Sequence, residues 1–130
     1  MYTFKKEERL CSKKLLDELF HKGSSFLLYP YRVSWLITEL TENVPAQVVI
    51  SVPKRKFKRA HDRNLLKRRI REAYRLNKNN LLYPFLKDET PVVFGVSYIG
   101  REIHDFQFLE KKIKKVFEQL VREYVAKTLG

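Results

Sequence analysis

Apolar residues recur along the chain with two different periods, and the changes of period mark out its elements. Leu15, Leu16, Leu19 and Phe20 follow at i, i+1, i+4 and i+5, the stripe of an amphipathic helix, with Ser12 placed to cap its start and Gly23 to stop it. At Tyr31 the period becomes two. Tyr31, Val33, Trp35 and Ile37 alternate with Arg32, Ser34, Leu36 and Thr38, which predicts a strand with one face more apolar than the other. Asn43 and Pro45 turn the chain into a β-branched run, Ala46 to Val52, that Pro53 ends because proline has no N–H for a ladder. From Asp62 to about Leu76 the helical period returns, and Pro91 to Ile99 reads as a short buried strand. Asp105 is placed to cap a last helix, in which Leu109, Ile113, Val116, Phe117, Leu120, Val121 and Tyr124 keep one side apolar. The order helix, strands, helix, strand, helix predicts an α+β sandwich with helices packed on a small sheet.

Composition narrows this to a single folded domain covering residues 1–130. Hydrophobic residues make up 44% of the 130, including nine Phe, seven Tyr and one Trp, which is enough for one core and excludes disorder. No run approaches the ~20 apolar residues that span a bilayer, and the first residues lack the apolar stretch of a signal peptide. A cytoplasmic protein with no membrane partner is expected. Cys11 is the single cysteine, and His21, His61 and His104 are scattered, so neither an internal disulfide nor a zinc knuckle can form.

Charge changes the picture most. The formal net charge is +12. Residues 54–75 hold eleven bases (Lys54, Arg55, Lys56, Lys58, Arg59, Arg63, Lys67, Arg68, Arg69, Arg71, Arg75) and two acids (Asp62, Glu72), so 11 − 2 = +9 lies in this one loop and helix. On a helical wheel with Arg63 at zero, Arg63, Lys67, Arg71, Asn64, Arg75 and Arg68 fall between roughly 0° and 140°, with no acid among them. Leu65, Leu66, Ile70, Ala73 and Leu76 form the opposite, core-facing stripe. Arg69 falls inside that stripe and must reach out of it or find a partner. Solvated helix faces normally interleave Glu with Lys, whereas an acid-free cluster repels itself and calls for an anion.

Seven of the eleven bases are Arg, whose planar fork suits bidentate phosphate contact and stacking on bases. A membrane-surface helix would need a bulky apolar face with Trp or Phe, and here that side is Leu, Ile and Ala. Nucleic acid is the better fit. A basic loop after a strand, in place of a short-turn helix pair, argues against helix-turn-helix DNA reading.

The segment Ser51-Val52-Pro53-Lys54-Arg55, followed by Arg63-Asn64-Leu65-Leu66-Lys67-Arg68-Arg69-Ile70-Arg71, resembles the signature of the bacterial ribonuclease P protein subunit. That signature is a strand ending in Ser-Val-x-Lys-Lys/Arg, then a helix reading R-N-R-x-K-R-x-x-R. Phe20-His21-Lys22-Gly23 resembles the family's first helix end, and the likeness runs on to the last helix from Asp105. Leu65 replaces the second Arg of the family's Arg-Asn-Arg.

The resemblance implies an α-β-β-β-α-β-α order with a left-handed β-α-β crossover. It also implies a catalytic RNA partner, one protein per RNA, a cleft for the single-stranded 5′ leader of precursor tRNA, and chemistry carried by RNA with Mg²⁺. On that basis Arg63, Lys67, Arg68, Arg71 and Arg75 are expected to neutralise RNA phosphates, with Lys54 and Arg55 extending the surface. Asn64 is expected either to bond RNA or to pin the loop onto the helix. Phe20 is a stacking candidate, and Arg32 and Ser34 are expected to line the groove, with Trp35 and Tyr31 in the core. No catalytic or metal-ligating set is expected in the protein, since the acids come as adjacent pairs (Glu7-Glu8, Asp17-Glu18, Asp88-Glu89) and not as convergent carboxylates. His61 reads as a solvated loop residue or a phosphate donor. Two other classes stand beside this one: a structural, ribosomal-type RNA-binding protein, and a stand-alone nuclease.

Overall fold

The structure is a computed structural model that describes residues 3–129. Helix α1 (Lys13–Lys22) is followed by strands β1 (Ser24–Leu28), β2 (Tyr31–Ile37) and β3 (Ala46–Ser51), helix α2 (Ala60–Leu81), strand β4 (Val92–Tyr98) and helix α3 (Phe106–Leu129). This is the α-β-β-β-α-β-α order that the resemblance implies. Ser12 Oγ accepts from Leu15 N (3.3 Å) and Asp105 Oδ1 from Phe108 N (2.9 Å), so both predicted caps form. Gly23 ends α1 for a different reason from the left-handed turn a stop glycine usually supplies: its φ is −74°, but a Cβ there would lie 2.4 Å from Leu19 O.

Two elements differ from the periodicity. Strand β1 (SSFLL) does not alternate in hydrophobicity and carries no period-two signal, yet it pairs antiparallel with β2. Helix α2 runs past Leu76 to Leu81, because Tyr74 and Lys78 are buried and hold its last turns against the core.

The sheet order is β1-β2-β4-β3, with β3 parallel to β4 and the other pairs antiparallel. Tyr31, Val33, Trp35, Val48, Phe94 and Tyr98 point to one face and pack on α2 and α3. Leu19 of α1 packs on the other face, against Val93. Val92 turns its side chain into the α2–α3 layer while its N–H donates to Pro45 O on the β3 side (3.1 Å). For an L-residue this combination places β3 to the right of β4, seen from the helices with both strands running upward. The β3–α2–β4 connection therefore crosses leftward, against the hand found in ~98% of such units.

Tyr74 is the hub of the core, its ring 5.3 to 5.9 Å from those of Phe4, Phe117 and Phe94. Beside it, Lys78 pairs with Glu8, both buried. Tyr83 Oη donates to the same Glu8 oxygen (2.5 Å), and Lys5 N–H donates to the other (2.6 Å). This cluster ties the N-terminal segment to α2, and Leu10 N–H then donates to Val48 O (2.9 Å), covering the β3 edge.

Candidate nucleic-acid interface

Pro53 breaks the β3 ladder, and the loop that follows is fastened at three points. Phe57 is buried against Tyr98 (5.8 Å), Lys56 Nζ donates to Ile99 O (3.0 Å), and Arg63 Nη1 donates to both Phe57 O (2.8 Å) and Lys58 O (2.9 Å). Pinning the loop thus falls to Arg63, whereas Asn64 is exposed and makes no side-chain hydrogen bond among the described residues. Lys54 and Arg55 project into solvent from the fastened loop.

Along α2, Arg68 and Arg71 are exposed and Lys67 half-buried, and none of the three has an ion pair or side-chain hydrogen bond among the described residues. Arg75 differs. Its Nε and Nη2 donate to the two Glu72 oxygens (2.8 and 2.7 Å), a bidentate pair that lowers the Glu72 pKa and raises that of Arg75. Glu72 sits at roughly 180° on the wheel, just beyond the face. The five bases of the acid-free face thus differ in their partners: Arg75 is paired with Glu72 and Arg63 is engaged with the loop. Arg69, the base inside the apolar stripe, escapes by donating to His104 O (2.7 Å). His61 lies in the exposed first turn of α2.

Arg9 joins this surface without any sequence pattern to announce it. The bridge from Arg9 to Val48 and the Glu8–Lys78 tie set Arg9, stacked on Phe4 (5.4 Å), beside Arg71 around a shallow hollow of about 140 Å³.

The opposite face of the sheet carries serines, Gly95 and Arg32 among its residues. The register lines up Leu27, Arg32, Ser97 and Ser51 across the four strands in one row, and Ser25, Ser34, Gly95 and Val49 in the next. Helix α1 covers the apolar end of this face, and between α1 and the two rows runs a cleft of about 320 Å³ bordered by Phe20, Ser25, Arg32, Ser34 and Ser97. Phe20 is 61% exposed at its rim. Phe20, Arg32 and Ser34 thus come together as the sequence predicts, while Trp35 and Tyr31 point into the core, donating to Glu123 Oε1 (2.9 Å) and Leu109 O (3.0 Å). Ser25 and Ser97, brought in by the register, had no signal in the pattern. Ser51 ends its row three residues before Lys54, so the polar face runs toward the basic loop.

The chain therefore presents a cationic surface on the α2 side and an open polar cleft with a free aromatic ring on the other. Cations with aromatic rings are the make-up of single-stranded nucleic-acid sites. No helix among the described residues is long and apolar enough to cross a membrane.

Comparison with known proteins agrees. A family model described as ribonuclease P matches residues 4–121. The ribonuclease P protein component of Porphyromonas gingivalis is 31% identical over 114 residues, covering 88% of this chain and 83% of that protein. That of Petrotoga mobilis is 40% identical over 76 residues, 58% and 61% of the two chains. Two solved structures share the fold. The ribonuclease P protein of Staphylococcus aureus has a TM-score of 0.68 at 18% identity, covering 87% of this chain and 94% of its own. The Thermotoga maritima protein has a TM-score of 0.69 at 21% identity, covering 86% and 96%. The ribosomal-type alternative finds no support among these relatives. A match over nearly the whole length, on the same order of elements, establishes that the chain belongs to the ribonuclease P protein family and is the protein subunit of that tRNA-processing ribonucleoprotein.

Proposed function

We propose that this subunit docks on the catalytic RNA of ribonuclease P through Lys54, Arg55, Asn64, Lys67, Arg68 and Arg71. In the same complex it holds the single-stranded 5′ leader of precursor tRNA in the cleft of Phe20 and Arg32. One protein serves one RNA, in the cytoplasm, and the pair removes the leader to leave the mature tRNA 5′ end. The observation that supports this reading is that one small domain carries both a cationic surface, on α2 and the loop before it, and an open polar cleft beside α1, so that it can touch both RNAs at once.

In the cleft, a leader base stacks on Phe20, an interaction worth ~1–3 kcal/mol per base, while Arg32 meets a phosphate and the serine hydroxyls bond sugar or phosphate oxygens. Such contacts position RNA without reading its sequence. Arg63 and Arg75 act on the docking surface indirectly, Arg63 by holding the loop and Arg75 through its pair with Glu72.

Magnesium held on the RNA would supply the activation and orientation of the attacking water. Among the described residues no three His, Cys, Asp or Glu side chains converge, and no step is assigned to them. The protein's part is to bind, to neutralise phosphate charge and to orient.

Cleavage of precursor tRNA by the catalytic RNA, followed at low Mg²⁺ with and without the protein, tests this. Added protein is expected to accelerate leader removal, and Phe20→Ala with Arg32→Ala to weaken binding of precursor but not of mature tRNA. No acceleration, or cleavage by the protein without RNA, would overturn the proposal.

A further inference from the structure

Where the end of α2 meets α3 there is a groove outside both surfaces described above. Leu81 and Phe85 form one wall, and Lys114, Lys115, Glu118 and Val121, one stripe of α3, form the other, around a volume of about 280 Å³. This is near the lower end of ligand pockets, ~300 Å³. Phe85 is 51% exposed, yet it is held by a tight turn in which Phe85 N–H donates to Leu82 O and Leu86 N–H to Tyr83 O, both 3.1 Å. The ring is presented on a fixed backbone.

The cations around it are uncompensated. Lys111, Lys114 and Lys115 are exposed and have no ion pair or hydrogen bond among the described residues, although they stand at i, i+3 and i+4, where like charges repel. Glu118, the one acid in the groove, pairs with Arg122 (3.3 Å) and leaves the lysines free. An exposed aromatic facing unpaired lysines across a groove is the composition of a site for a stacked base and its phosphates.

We propose that this groove is a further RNA contact that takes an unpaired nucleotide of the ribonuclease P RNA, its base on Phe85 and its flanking phosphates on Lys114 and Lys115. The proposal rests on the reading of this chain as a subunit docked on that RNA. From Arg63 to Leu81 is 18 residues of helix, about 27 Å at 1.5 Å per residue. The groove and the basic loop therefore stand at opposite ends of α2, and they would grip two separate stretches of the RNA and fix the angle at which the subunit sits.

The test is the affinity of the whole protein for the full catalytic RNA across a salt series. Lys114→Ala with Lys115→Ala is expected to make the log–log salt slope shallower by about 1.4, at ~0.7 per phosphate. Phe85→Ala is expected to weaken binding roughly tenfold, as for one stacked base, without changing that slope. All three positions are exposed, and an unchanged circular dichroism spectrum confirms folding. Lys67→Ala with Arg71→Ala, on the docking face, serves as the reference. If the reference weakens binding and the groove variants do not, including the case where the groove takes an acidic protein segment, the groove proposal is overturned and the docking reading stands. If the reference has no effect either, the docking reading itself has failed.

Discussion

At the scale of single residues, the most consequential feature is a charge pair that no pattern marks. Glu8 and Lys78 are 70 positions apart, and each reads in the sequence as an ordinary surface charge. Folding buries both, 4% and 2% exposed. Burial alone would push the Glu8 carboxyl up, but the bonds from Lys78, Tyr83 and the Lys5 N–H outweigh it and hold the pKa below its ordinary value. A carboxyl with a lowered folded pKa adds stability that is fully present above its unfolded pKa and is lost as pH falls through the folded one. Urea unfolding of the wild type should therefore weaken below about pH 4.5, through and beneath the usual carboxylate range. Glu8→Gln should flatten that part of the profile and cost about 3–5 kcal/mol at neutral pH, because Lys78 is left buried without its partner. The double variant Glu8→Leu with Lys78→Met should recover most of the loss. Wild-type stability in Glu8→Gln would refute this account. The same scale explains why Arg63 and not Asn64 pins the loop: their positions on the wheel are legible, but which of the two reaches the Phe57 and Lys58 carbonyls depends on the path of a loop that periodicity does not describe.

At the scale of elements, legibility followed the strength of the period. Helices α1 and α3 have one apolar stripe each and begin where their caps predict, and strand β2 follows its alternation. Strand β1 was silent because its exposed edge and half-covered faces ask nothing of its sequence; only pairing with β2 makes it a strand. The cleft depends on how closely α1 approaches β4, and Gly95 lies under that contact. A Cβ at Gly95 would lie 3.4 Å from Val49 Cγ1, 3.6 Å from Leu19 Cδ2 and 3.8 Å from Phe20 Cζ, ordinary contact distances, so a methyl fits against α1. Its φ is not positive, so Gly95→Ala should be tolerated or stabilise by up to about 1 kcal/mol. Gly95→Leu should lift α1, cost about 1–3 kcal/mol by overpacking and weaken precursor-tRNA binding. Thermal unfolding together with a precursor-binding titration checks both, and a Leu variant with wild-type stability and binding would show that α1 does not rest on this glycine.

At the scale of the whole molecule, the net charge of +12 is less important than which cations remain free. Of the bases expected to meet phosphate, Arg75 is held by Glu72 and Arg63 by two loop carbonyls. Lys54, Arg55, Lys67, Arg68 and Arg71 are left, five again though not the five first counted from the helix alone. Each free cation that neutralises a phosphate contributes ~0.7 to the slope of log affinity against log salt for single-stranded RNA, so this face contributes about −3.5. Composition predicts the same loss for every arginine removed. The pairing seen in the structure predicts otherwise: Arg71→Ala should make the slope shallower by about 0.7, whereas Arg75→Ala should leave it nearly unchanged, since its charge is already matched within the helix. Binding of each variant to the catalytic RNA between about 0.05 and 0.2 M salt measures the difference. Equal changes in the two variants would mean that the Glu72–Arg75 pair opens on binding and that the face presents its full complement of arginines to RNA. A wild-type slope near zero would remove phosphate neutralisation as the basis of docking altogether.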